Sequence, residues 1–199
     1  MALESTALIM LGMQRDQFDP DAPTRGLIED PDMVDRVHDA LIAAGDYVRR
    51  QEGMVIHVPI RFAPGHPEIN QERGFLATIK EQGLLEEGKP GTEPISSMSK
   101  LEPELITLSG RTGFNGFRNT GLDAMLGEGR IQRILLAGSP TVACVDSTAR
   151  TAYELGYEVV ILSDCILSRS TVEHGLYCNS VFPHFANPIL STTLFEQMT

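Results

Sequence analysis

Residues 6–12, Thr-Ala-Leu-Ile-Met-Leu-Gly, form a continuous apolar run that stops at a turn residue, the pattern of a strand buried on both faces of a parallel sheet. A polar stretch over 14–29 reads as a long loop. Asp30-Pro31 then predicts a helix cap with proline in the first helical position, and Met33, Val34, Val37, Ala40, Leu41, Ala44 and Val48 recur at helical spacing towards Gly53. Further strands are predicted over 54–60, 105–109, 131–137 and 158–162, with a short one over 188–191. Helices are predicted over 120–126, over 142–155 with Gly156 closing the end, and from near Ser170. The connection between the second and third strands reads as long and irregular.

Strands alternating with amphipathic helices predict one domain over residues 1–199. Its fold class is a three-layer α/β/α sandwich around a mostly parallel, roughly six-stranded open sheet. Ligands of such sheets bind beyond the carboxyl ends of the strands, here Gly12 and the segments 59–62, 109–111, 138–141 and 163–164.

Charge narrows the partners. With 27 acidic against 16 basic side chains the net charge is −11, and no basic run offsets it, so binding to a phosphate backbone starts from repulsion. No apolar run approaches the roughly 20 residues of a membrane helix, and the N-terminus lacks the basic start of a secretory signal. A cytoplasmic protein without nucleic-acid or membrane partners is expected. Cys144, Cys165 and Cys178 are odd in number and lack Cys-x-x-Cys spacing, which favours neither disulfides nor zinc. No phosphate loop or dinucleotide fingerprint follows a strand, so no cofactor is expected.

The segment Gly138-Ser-Pro-Thr-Val-Ala-Cys144 sets a thiol in the first turn of a helix directly after a buried strand. Amides there lack intrahelical partners and carry the positive end of the helix dipole, which favours thiolate over thiol. The alternative is a small buried apolar residue. Val142, Val145, Ala149 and Ala152 predict one apolar stripe with Cys144 beside it.

The residues Thr6 to Asp16, Phe114-Asn-Gly-Phe117 with Thr120 and Leu122, Ala137 to Val145, Thr148-Ala149, Ala152, Gly156-Tyr157 and Asp164 resemble, in order and spacing, the isochorismatase-like cysteine hydrolases. That superfamily includes nicotinamidases and N-carbamoylsarcosine amidases. The resemblance implies Cys144 as nucleophile, an Asp base ending the first strand, a supporting Lys, and an oxyanion site at a cis peptide. It also implies a dimer or tetramer.

Three departures follow. Gly12 stands where the base is implied, and glycine accepts no proton. Arg111 stands where the lysine is implied, or Gly110 if the alignment slips by one residue. The implied cis bond falls at Ser139-Pro140, and Pro140 has no N–H to donate. Asp16 is the candidate replacement base or else a loop cap, and His57 reads as a structural strand residue. His57 and His66 do not complete the three ligands of a metal site. Gly12, Met13, Phe18, Phe114, Phe117, Ser139, Pro140 and Thr141 are the candidate substrate-binding residues. For the aromatic residues and Met13, core packing or a subunit contact is the alternative. The reading is a divergent hydrolase of a small carbonyl or amide metabolite, with a catalytically inactive binding or assembly protein as its rival.

Overall fold

A computed structural model describes residues 3–196. Strand β1 (Thr6–Leu11) is buried along its whole length, as its uninterrupted apolar sequence requires. The stretch read as a loop carries a short helix α1 (Arg15–Phe18) and a 3-10 turn over Pro23–Leu27. Both are too short to show a helical period. Helix α2 (Asp32–Arg50) follows, with the Asp30 carboxylate accepting from the Asp32 amide. Strand β2 (Met54–Val58) leads into the connection expected to be irregular, which contains helix α3 (Phe75–Gln82) and two 3-10 turns. Ile60, Phe62, Ile69, Ile79, Leu84 and Leu85 give this connection its own small core.

The second half is β3 (Leu105–Thr107), α4 (Leu122–Glu128), β4 (Arg133–Gly138), α5 (Asp146–Glu154), β5 (Glu158–Ile166), α6 (Thr171–Leu176), β6 (Asn187–Ile189) and α7 (Ser191–Glu196). Strand β5 runs four residues past the end expected at Leu162, because the polar break at Asp164 is satisfied: its carboxylate accepts from the amide and hydroxyl of Ser191. The six strands pair in parallel throughout, in the order β3-β2-β1-β4-β5-β6. Helices α2 and α7 cover one face through Val34, Val37, Leu41, Val48 and Leu194, whereas α4 and α5 cover the other through Leu122, Leu126, Ala149 and Ala152.

This order reverses direction between the paired neighbours β1 and β4, whose following helices α2 and α5 pack on opposite faces of the sheet. A crevice opens at the carboxyl ends of two such strands because their onward connections leave on opposite sides. Gly12 and Ser139 are the residues that leave those two ends. At Gly138 a side chain would meet the Leu11 carbonyl oxygen at 2.1 Å, so the two strand ends approach as closely as backbone allows.

Candidate active site

The turn after β4 differs from the regular helix start predicted. The Ser139-Pro140 peptide is cis, and residues Thr141–Val145 form a π-helical turn before α5 begins. The Pro140 carbonyl accepts from the amides of Cys144 at 2.9 Å and Val145 at 3.3 Å, the second being the wider π spacing. The extra residue in this turn rotates the expected stripe. Val142 faces outward, and Cys144 enters the apolar cluster with Val145, Ala149 and Ala152 and is 1% exposed.

Burial therefore pushes the Cys144 thiol up from its ordinary value, against the pull of the Arg111 guanidinium beside it. The helix start alone predicts the opposite direction. Desolvation of the thiolate outweighs the neighbouring cation. The amides of Thr141 and Cys144 donate to the carbonyls of Leu167 and Pro140. Pro140 has no N–H, so neither donor implied by the resemblance faces a substrate oxygen.

Arg111 is 1% exposed, and its charge stands near enough to the Cys144 thiol to pull on its titration. Its Nη1 donates to the Val58 carbonyl at 2.7 Å, Nη2 to Phe114 at 3.0 Å and Nε to Gly113 at 2.9 Å. Among the described residues no carboxylate forms an ion pair with it. Three carbonyl dipoles thus solvate a buried cation, an arrangement that attracts an anion. The Phe114-Asn-Gly-Phe117 segment holds this loop against α5: Asn115 Nδ2 donates to Thr151 Oγ1, and the Gly116 amide to Thr148 Oγ1.

At Gly12 the chain turns sharply, with φ at +87° there and +57° at Met13. The His57 imidazole hydrogen-bonds the Gly12 carbonyl, and burial lowers its pKa from 6.5 to about 4, so the ring is neutral at physiological pH. His57 shares a strand face with Val55, on the α2 side, whereas Cys144 packs on the α5 side. A Cβ placed on Gly12 would stand 2.3 Å from Gln17 Oε1. The Gln17 carboxamide therefore occupies the space into which a side chain at position 12 would project.

Asp16 accepts from the Leu85 amide at 2.7 Å and abuts Gly91, tying α1 to the α3 connection. Met13 and Phe18 pack in the core beneath α2. Phe114 lies against Phe75 and Phe117 against Tyr157. Thr141 is buried and accepts from the Ser168 hydroxyl. Ser139 and Pro140 line a cleft of about 340 Å³ above the ends of β1, β4 and β5. Its other walls include Gln17, Phe75, Val142, Ala143, Leu167 and Arg169, none of which sequence reasoning placed in the site; Val142 was expected on the apolar stripe. Cys144, Arg111, Gly12, Met13, Phe18, Phe114, Phe117, Thr141 and Asp16 are not in that lining; Cys144 is the chain neighbour of Ala143, which is. Among the described residues no group of three His, Cys, Asp or Glu side chains is arranged to hold a metal, and no helix is long and apolar enough to cross a membrane.

Comparison with known proteins gives the same picture of the whole chain. An isochorismatase family protein of Bacillus subtilis, YwoC, is 25% identical over 158 residues, covering 77% of this chain and 78% of that protein. The ureidoacrylate amidohydrolase RutB of Rhizobium rhizogenes is 30% identical over 105 residues, covering 51% of this chain and 42% of that protein. A crystal structure of an isochorismatase family protein from Desulfovibrio vulgaris superposes with a TM-score of 0.81 at 23% identity, covering 98% of both chains. The isochorismatase domain model matches residues 6–193. With its strand order, its cysteine turn and a match over nearly its full length, the chain belongs to the isochorismatase family.

Proposed function

We propose that this chain is a divergent hydrolase of the isochorismatase family, acting on a small carbonyl or amide metabolite that enters the cleft above Cys144. The observation that carries this reading is the buried Arg111 guanidinium, unpaired with any described carboxylate, against the Cys144 thiol. The similarity to an amidohydrolase supports the C–N substrate class. Cys144 Sγ bonds to the substrate carbonyl carbon after its proton has gone to solvent. The amine leaves with a proton taken from water, and a second water hydrolyses the thioester. Arg111 steadies the thiolate but neither accepts nor supplies the proton.

With Gly12 in place of a base and the thiol pushed up, turnover depends on the thiolate fraction and rises about tenfold per pH unit below the thiol pKa. Ammonia release from a panel of primary amides and ureido acids, from pH 7 to 10, tests it. Release that climbs with pH and vanishes in Cys144→Ala is expected; release that persists in Cys144→Ala overturns it.

A second reading, a binding protein without turnover, is favoured by the Cys144 amide being committed to Pro140. It predicts ligand binding with no ammonia at any pH. Both readings carry a cytoplasmic homo-oligomer, dimer or tetramer, which sedimentation of the purified protein tests.

A further inference from the structure

Gln17 is 3% exposed, yet its Oε1 is buried without a hydrogen-bond partner among the described residues. No described residue hydrogen-bonds the other end of this carboxamide either. Buried amides are normally satisfied, because a carbonyl oxygen stripped of water and given nothing in return is costly. This one sits in the lining of the 340 Å³ cleft, beside Ser139, Pro140 and Ala143, and over the Cα of Gly12.

We propose that Gln17 is a specificity-determining residue, whose free carboxamide hydrogen-bonds the amide edge of the ligand at the floor of the cleft. The inference rests on the reading that this cleft receives the ligand, and it holds whether or not Cys144 turns that ligand over. A carboxamide presents one acceptor and donors on one plane, and so does a primary amide; the two pair edge to edge. A carboxylate at the same place would accept only. Exchanging a projecting side chain at position 12 for the Gln17 amide therefore converts a proton-accepting position into a neutral, two-sided recognition element. The walls beyond it, Leu27, Ile28, Phe75, Val142 and Leu167, suit an apolar or aromatic remainder.

Calorimetric titration of the whole protein with benzamide and with N,N-dimethylbenzamide tests this, because the second probe has the same ring and carbonyl but no N–H. Benzamide is expected to bind at least tenfold more tightly than its dimethyl analogue, and Gln17→Leu to remove that preference. Gln17→Glu, of the same shape but ionised and without the amide donor, keeps the fold and gives an intermediate preference. Equal binding of the two probes, unchanged preference in Gln17→Leu, or no benzamide binding overturns the inference. Because the readout needs no turnover, absent ammonia release with an intact Gln17-dependent preference strikes the hydrolase reading alone. Cys144-dependent release without that preference strikes this inference alone.

Discussion

Placing a carboxylate at position 12 by Gly12→Asp is the direct perturbation of the proposed site, and its cost is readable from the backbone. Position 12 has φ at +87°, which an L side chain adopts at a penalty of about 1–2 kcal/mol. The new Cβ would stand 2.3 Å from Gln17 Oε1, so the Gln17 side chain must leave its place in a packed interior, at about 1–3 kcal/mol. The single variant should lose about 2–5 kcal/mol, a fall in Tm of roughly 4–20 °C for a chain of this size. Gln17→Ala alone should cost about 1 kcal/mol of packing and no more, because the amide it deletes has no hydrogen bond to lose and lines an open cleft. In Gly12→Asp/Gln17→Ala the clash is gone, so the combined loss should be smaller than the sum of the two single losses. Scanning calorimetry of the four proteins gives the coupling between the two positions directly. If Gly12→Asp costs the same with and without Gln17, the two residues do not share space and the account of this site fails.

Further expectations concern charge. The His57 pKa is lowered to about 4 by burial, so between pH 6.5 and 4 the unfolded chain binds a proton that the folded chain refuses. Stability should therefore fall on acidification across that window by up to about 3 kcal/mol, and urea midpoints of His57→Gln should fall less steeply there. Arg111→Met takes the guanidinium donor from the half-buried Gly113 and Phe114 carbonyls, while the Val58 carbonyl keeps the Gly12 amide, and should cost about 1–3 kcal/mol by urea unfolding. It should also slow Cys144 alkylation, because the one group pulling the thiol down is gone. In the native protein at neutral pH, mass spectrometry should find iodoacetamide on half-buried Cys178 before buried Cys144 and Cys165.

The sheet was legible because parallel strands buried on both faces write themselves as unbroken apolar runs, as β1 and β4 do. Cys144, Gly12 and Arg111 were legible as positions, since each leaves or neighbours a strand end. The direction of the Cys144 shift was not. It depends on the π turn, which has no local sequence signature and moves the thiol from beside the apolar stripe into the core. Helices α1 and α3 escaped because one or two turns carry too few residues to show a period. Gln17 escaped for a spatial reason. Its meaning lies in touching Gly12, five residues away, and that contact exists only because Gly12 and Met13 both adopt positive φ and fold α1 back over the strand end.

The changes around Cys144 depend on one another. A carboxylate projecting from position 12 would need the volume that the Gln17 amide fills, so a strand end bearing Gly12 admits Gln17 and one bearing a larger residue excludes it. With no carboxylate at that end, the buried Arg111 charge is balanced by carbonyl dipoles alone, and what remains nearest it is a thiol held protonated by burial. A proton acceptor restored at position 12 would still meet a turn in which Pro140 has no N–H and the Cys144 amide is bonded to the Pro140 carbonyl. Base and oxyanion donors act as a unit in acyl transfer, so replacing either alone recovers little of the rate. Any chemistry this site performs must therefore draw on what it retains, a cation and a thiolate formed at the expense of solvent. On the proposed reading, alkaline pH rather than a tuned base is then the condition under which Cys144 reacts.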